Sequence, residues 1–93
     1  MLYMDKPLVR RTKRGEVRRT SHLVSDVGLE ELHQFVADLG GSRRGFHDKP
    51  GMPHYDLIDP YIDRALAAGA QLVSPKQIIA VLRSTYGRME EPS

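Results

Sequence analysis

The sequence predicts an α/β fold, consisting of a small single-layer mixed sheet with three packed helices and an N-terminal basic β-hairpin. Two observations predict it. Short apolar or alternating segments, typical of strands, are interspersed with three segments of helical periodicity. Near the N-terminus, two such short segments flank a glycine-containing connection, which is typical of a hairpin. A chain of 93 residues can bury one core, so we expect a single domain at 1–87 and a flexible tail at 88–93.

Composition limits the kinds of site that the chain can form. It is 40% hydrophobic and 28% charged and contains no cysteine, which excludes disulfides, thiolate zinc sites and a thiol nucleophile. A metal site would need histidine and carboxylate ligands. No apolar run is long enough for a membrane span, and the N-terminus lacks the apolar segment of a signal peptide. We therefore expect a cytoplasmic protein with no membrane partner.

The first predicted strand is the apolar run at residues 1–4. Asp5 follows it directly, and a carboxylate just past a strand lies at the edge where α/β sheets often bind ligands. The alternative interpretation of Asp5 is a solvated turn residue.

Residues 8–12 and 16–20 are predicted to pair as a hairpin, with Gly15 supplying a left-handed conformation in the turn. In that register Arg10 faces Arg18, and like charges opposite each other destabilise a sheet unless an anion neutralises them.

Basic charge is concentrated at the N-terminal end. Residues 1–19 carry seven basic and two acidic side chains, a net charge of +5, whereas the rest of the chain carries seven and ten, a net charge of −3. Clustered guanidinium groups bind phosphates. No aromatic side chains for base stacking are interleaved among the hairpin arginines, so a solvated edge that resists aggregation is the alternative. The candidate phosphate- or nucleic-acid-binding residues are Arg10, Arg11, Arg14, Arg18, Arg19, Arg43 and Arg44.

Residues 21–26 are predicted as a short extended link into a first helix at 29–39, whose apolar residues recur at three- and four-residue spacing. Neighbouring residues of an extended segment point to opposite faces, so Ser21 and His22 cannot form a nucleophile–base pair directly. His33 lies at the margin of the apolar stripe. We interpret it as a packed histidine, because no second ligand stands four residues further along the helix.

Residues 42–47 are a candidate strand and 48–53 a loop. If the next segment is extended, His54 and Asp56 point to the same side of it. This pair is the most distinctive polar feature of the sequence.

Two further helices are predicted after this pair. Asp59 is predicted as an N-cap and Pro60 as the first helical residue. After a short strand at 70–73, Ser74 is predicted to begin the last helix in a capping box with Gln77. A winged helix, with the hairpin as its wing, is less favoured because strands separate the predicted helices.

Over residues 2–83 the chain resembles a family of small bacterial and phage proteins known only as a domain of unknown function. The resemblance depends on ordered motifs, namely an aspartate after the first strand, Ser-His-Leu-x-x-Asp at 21–26, Glu-Leu-His at 31–33, Leu-Gly at 39–40, Phe46, His-Tyr-Asp at 54–56 and Ala-x-x-x-Gly-Ala at 65–70. The chain departs from the family pattern at Thr20, where an aromatic residue is usual, and at Ser25, where alanine is usual. The resemblance implies no activity, but it makes Asp5 and His22 the expected partners of His54 and Asp56.

These residues lead to three hypotheses. The favoured one is a phosphate- or nucleic-acid-binding module, whose partner is a nucleic acid or a phosphorylated small molecule. The second is a nucleotide- or phosphoester-directed enzyme in which Asp5, His22, His54 and Asp56 are catalytic, with a metal as an open possibility and the cofactor unknown. The third is a hydrogen-bond network of purely structural importance.

Overall fold

The computed structural model describes residues 1–11 and 13–87, so the predicted tail at 88–93 lies outside the described residues. Six strands and three α-helices form in this part of the chain. The strands are β1 Leu2–Asp5, β2 Leu8–Arg11, β3 Val17–Ser25, β4 Phe46–His47, β5 His54–Ile58 and β6 Gln71–Val73. The helices are α1 Leu29–Asp38, α2 Tyr61–Ala67 and α3 Pro75–Tyr86, and a 3-10 turn spans Arg43–Gly45.

All six strands belong to one mixed sheet, which confirms the predicted α/β fold. The order is β4-β5-β3-β1-β6, with β2 paired to β3. Only the β1–β6 pairing is parallel among the strands described here. β2 pairs with the first half of β3 and β1 with its second half. The long strand β3 is therefore the one on which the N-terminal and central strands assemble.

Helices cover both faces of the sheet. On one face α1 and α2 enclose the larger core, in which Leu32 and Ile62 pack with Leu23 and Tyr55. On the other face α3 packs against Val24 of β3. Side chains alternate between faces along a strand, so residues next to Leu23 and Tyr55 in sequence point to the α3 face.

The predicted hairpin forms as expected. Arg10 lies opposite Arg18, and Gly15 adopts a φ of 84° in the turn. The segment at 21–26 is extended as predicted, but it is not a separate link, because β3 continues without a break from Val17 to Ser25. This part of β3 is held as strand by pairing with β1 on one edge and with β5 on the other.

The predicted start of α2 is wrong. Pro60 occupies the N-cap position, and no side chain caps the helix. The Asp59 carboxylate instead accepts a hydrogen bond from Arg19, with Nε 3.0 Å from Oδ2, and Arg19 also reaches Asp63 at 3.3 Å. The hydrogen bond from Arg19 lowers the pKa of Asp59. Because this ion pair occupies the carboxylate, it is not available to the N–H groups of the helix.

The segment at 42–47 is only partly extended. It begins as a 3-10 turn over Arg43–Gly45 and becomes strand only at Phe46 and His47, which pair with β5. The close approach of the Asp56 carbonyl to Gly45 accounts for a glycine at this position, since an added Cβ would lie 2.8 Å from that oxygen.

The capping box of α3 is confirmed. Ser74 Oγ accepts a hydrogen bond from the Gln77 N–H at 3.2 Å, and Gln77 Oε1 accepts one from the Ser74 N–H at 2.8 Å. Pro75 occupies the first turn, where its missing N–H leaves no hydrogen bond unmade.

Replacing Ser74 with alanine should destabilise the protein by about 1 kcal/mol, the usual effect of losing an N-cap oxygen. Urea unfolding measures the change. Ser84→Ala, on the exposed side of the same helix, is the matched control and should change stability by less than about 0.5 kcal/mol. Equal losses in the two variants would contradict a capping role for Ser74.

Candidate metal centre

The structure brings Asp5, His22, His54 and Asp56 together on the α3 face of the sheet. The pairing of β3 with β5 places His22 directly opposite Asp56, and His54 lies two residues before Asp56 on the same face. Asp56 Oδ1 is 3.6 Å from His22 Nε2 and 3.5 Å from His54 Nε2. With His47, described below, these residues form what we call the His/Asp cluster.

Asp5 reaches the cluster as the last residue of β1. Met4 pairs with Leu23, so the next residues of the two strands, Asp5 and His22, lie across from each other and point to the same face. The ladder becomes irregular just beyond Asp5, because Leu8 pairs with Thr20 and three residues of one edge therefore lie across from two of the other, as in a β-bulge. The buried Asp5 carboxylate accepts a hydrogen bond from the His22 N–H through Oδ1 at 2.8 Å.

Both imidazoles that face Asp56 are held at Nδ1 by groups that only accept hydrogen bonds. His22 Nδ1 lies 2.7 Å from Asp5 Oδ2, and His54 Nδ1 lies 2.8 Å from the Met52 carbonyl. Nδ1 therefore carries the hydrogen in each ring, and in a neutral imidazole Nε2 is left as a lone pair. Both Nε2 atoms lie on the side of their rings that faces Asp56 Oδ1.

His47 is a member of the cluster that the sequence analysis missed. Its Nε2 lies 2.8 Å from Asp56 Oδ2, and its ring stacks on His54 with centroids 5.2 Å apart. Since β4 and β5 are adjacent antiparallel strands, His47 lies directly opposite His54. A hairpin reading of the segments flanking the 48–53 loop would have found this residue.

Three ligand atoms in this cluster have the spacing of a metal site. His22, His54 and Asp56 each offer an atom within 4.8 Å of the other two. In a tetrahedral site with bonds of about 2.0–2.1 Å, neighbouring ligand atoms lie about 3.3 Å apart, close to the two imidazole–carboxylate distances. Asp5, the Met52 carbonyl and His47 then orient the ligands from outside, as such partners do in known metal sites.

A recess of about 290 Å³ adjoins the cluster on the α3 side. Its polar wall is formed by Asp5, His22, His54 and Lys49. The remaining wall consists of apolar side chains, which are those of Met52, Pro75, Ile78, Ile79 and Leu82. The side chain of His54 is only 13% exposed, whereas that of His22, at the mouth, is 45% exposed. The cluster is thus open on one side and shielded on the other.

The structure separates the predicted basic residues into three groups. Arg10, Arg11 and Arg14 are exposed on the hairpin, as is Arg18, which forms an ion pair with Glu16 at 2.8 Å. Arg19 is bound to α2 through Asp59.

The third group consists of Arg43 and Arg44. Each lines a cavity on the α1 side of the sheet, and neither lines the recess next to the His/Asp cluster. Their role in phosphate or nucleic-acid binding stays a prediction. Lys49 is the basic residue that the recess contains.

His33 lies on the α1 side of the sheet and is packed as predicted. Its Nδ1 is 2.6 Å from the Tyr55 hydroxyl, and its ring is 4.6 Å from that of Phe46 between centroids. Burial lowers the pKa of His33, and the nearby Arg43 charge lowers it further. A cavity of about 630 Å³ adjoins it, but the cavity does not contain the His/Asp cluster.

Because the pKa of His33 is lower in the folded state, the unfolded chain binds more protons as the pH falls below the ordinary imidazole value of about 6.5. His33 therefore has no effect on the pH dependence of stability at high pH, and it lowers the free energy of unfolding as the pH falls. We expect the free energy of unfolding to fall less in His33→Gln than in the wild type when the pH is lowered from about 7.5 to about 5. Urea unfolding at the two pH values measures this change. Equal losses in the two proteins would contradict the lowered pKa.

In the described part of the chain, no helix is long and apolar enough to cross a membrane. Fold and site together define a small α/β protein with a histidine- and aspartate-lined centre on an open sheet face. The chain belongs to the DUF4031 family of proteins of unknown function, whose model matches residues 2–85. This confirms the predicted membership of a family of unknown function. No curated protein and no solved structure matches the chain significantly.

Proposed function

We propose that the protein is a metal-dependent phosphoesterase, with a divalent ion held by His22, His54 and Asp56. The observation that carries this proposal is the convergence of one ligand atom each from His22, His54 and Asp56 within 4.8 Å. A divalent cation between them would be attracted by the carboxylate charge and bound by the two nitrogens. Two histidines and a carboxylate are a common donor set for zinc and for non-haem iron.

The Asp5–His22 hydrogen bond supports a metal rather than a chance cluster. A carboxylate behind a ligating imidazole fixes the tautomer and makes Nε2 a better donor. His47 acts similarly on Asp56, because it occupies Oδ2 and leaves Oδ1 directed towards the two rings.

A bound divalent ion would polarise a phosphoryl oxygen and make a water more acidic. In the hydrolysis that we propose, the water oxygen attacks phosphorus and forms a new P–O bond. The P–O bond to the leaving group breaks, and its electron pair stays on the leaving oxygen. The leaving oxygen or the solvent takes the proton that the water loses. Phosphoesters are the favoured substrate class because Lys49 lines the adjoining recess and the exposed Arg10 and Arg18 lie on the same sheet face.

Metal binding is the first test. Isothermal titration should detect about one zinc ion per chain, bound more tightly than magnesium because imidazole ligands favour zinc. Asp5→Asn should weaken zinc binding by about 10- to 100-fold, as expected for a residue that orients a ligand, and His54→Ala should weaken it more. His33→Gln, which changes a histidine on the other face of the sheet, is the control and should leave the affinity unchanged.

A wild-type protein that binds no divalent ion would reject the metal centre. If His54→Ala then lowered the urea midpoint, the cluster would be the structural network of the third hypothesis. These two readouts separate a ligand from a packing residue.

Activity is the second test, with bis(p-nitrophenyl) phosphate as the substrate. Zinc- or manganese-loaded protein should hydrolyse it, and chelation should abolish the reaction. Asp56→Asn should lower kcat/KM by about 100-fold or more, because the variant loses a charged ligand. A rate that survives chelation and the Asp56 substitution would exclude this site as the catalyst.

A second candidate function is a nucleic-acid-binding module that catalyses no reaction. The observation that favours it is the facing pair Arg10 and Arg18, two exposed positive charges opposite each other. A phosphate between them would reduce their mutual repulsion further than the Glu16 carboxylate, which contacts Arg18. Undiminished nucleic-acid binding by a protein with neither metal nor esterase activity would favour this candidate over the phosphoesterase.

A further inference from the structure

We infer that the substrate is a single-stranded nucleic acid that lies along the α3 face of the sheet, from the basic hairpin to the His/Asp cluster. This inference rests on the proposed function and adds the substrate class. It depends on the placement of the hairpin arginines relative to the cluster and on the shape of the recess beside it.

The alternation of β3 puts one hairpin surface on the same face as the cluster. Arg18, Thr20 and His22 follow each other at two-residue steps and therefore share a face. Arg10 pairs with Arg18 and lies on that face as well. Arg19, by contrast, points to the other face, where it binds α2 through Asp59.

The distance between these two sites fits a chain of nucleotides. Four residues of strand separate Arg18 from His22, which corresponds to roughly 13 Å at about 3.3 Å per residue. In duplex geometry each strand advances about 3.4 Å along the helix axis per phosphate, and a single strand can extend further per nucleotide, so a few nucleotides cover this span.

Arg18 remains accessible to a phosphate although it contacts Glu16. Both side chains of this ion pair are more than 40% exposed, and exposed ion pairs contribute little to stability. A phosphate can therefore replace the Glu16 carboxylate at small cost. Because Arg10 lies opposite Arg18, one phosphate can contact both guanidinium groups. It then removes the unfavourable contact between the two like charges.

The recess favours a single strand over a duplex. It is about 290 Å³ in volume, and it has apolar walls from Met52 and α3 next to the polar cluster. Such a recess can take up one planar base whose phosphate lies at the cluster. In a duplex each base is stacked and paired, and extracting it is costly, whereas a single strand presents its bases freely.

Fluorescence anisotropy with a labelled single-stranded oligonucleotide of about twelve nucleotides tests the proposal. The protein is first treated with a chelator, so that it binds the oligonucleotide without hydrolysing it. The double variant Arg10→Ser/Arg18→Ser should lose about tenfold or more in affinity. The slope of log affinity against log salt should become shallower by about 0.7, the value for one phosphate contact on a single strand, because the two arginines share one phosphate. Arg43→Ser/Arg44→Ser removes the same charge from the other side of the sheet and is the matched control.

The same two variants are then compared, metal-loaded, on bis(p-nitrophenyl) phosphate, which is too small to reach the hairpin. Relative to the wild type, the hairpin variant should lose more rate on the oligonucleotide than on this diester. If the diester is hydrolysed but the hairpin variant binds the oligonucleotide as well as the control does, the strand path is overturned. Tighter binding of a duplex of the same sequence also overturns it. If the wild type does not hydrolyse the diester, the proposed phosphoesterase fails, and the single strand is then not its substrate.

Discussion

The geometry of the candidate centre depends on the register of β3 against β5. This pairing sets His22 opposite Asp56 on one face and, in the same register, Leu23 opposite Tyr55 on the other. Leu23 and Tyr55 are almost completely buried. A slip by one residue would expose this core pair and bury the polar one. Hydrophobic burial under α1 therefore fixes the spacing of polar groups on the opposite face, where little packing would otherwise hold them.

The bulge after β1 contributes the second constraint. An extra residue between Met4 and Leu8 breaks the regular ladder, so polar groups of β3 need other partners. Ser21 Oγ donates to the Asp5 carbonyl at 2.7 Å, and the His22 N–H donates to the Asp5 carboxylate. Pro7, which has no N–H to offer a partner strand, lies within the irregular stretch. The register of β1 against β3 thus places the Asp5 carboxylate next to His22, and the irregularity beyond it leaves polar groups of β3 free to bond to Asp5.

Sequence reasoning could place residues related by short-range rules. The alternation of an extended segment put His54 and Asp56 on one side, and turn chemistry placed the hairpin and the capping box of α3. The bulge, however, arises from pairing between distant segments and leaves no local pattern. Asp5 and His22 were therefore linked to His54 only through the resemblance of ordered motifs to a family.

Tertiary contacts also explain what sequence reasoning placed wrongly. His47 was missed because its role depends on the pairing of β4 with β5 across a loop. Asp59 satisfies every local rule for an N-cap, but Arg19 approaches from a strand forty residues away and takes its carboxylate. A carboxylate that accepts two hydrogen bonds from a guanidinium cannot at the same time point towards the first N–H groups of α2, so the cap does not form.

The division of the hairpin charges between two faces changes what the basic N-terminal region can do. Counted along the sequence, Arg18 and Arg19 are equivalent neighbours, but the pleat directs them to opposite sides of the sheet. Arg19 is already neutralised by Asp59 and Asp63, and these contacts raise its pKa further. Its charge stabilises the junction of β3 with α2 and attracts a polyanion only weakly. Among the hairpin arginines and the basic residues of the recess, Arg10, Arg18 and Lys49 are therefore the ones that can attract a phosphate chain on the face of the His/Asp cluster, a smaller set than the net charge of residues 1–19 indicates. Because this set lies on the same face as the proposed metal ligands, a nucleic-acid strand that bound to it would also be brought to the cluster.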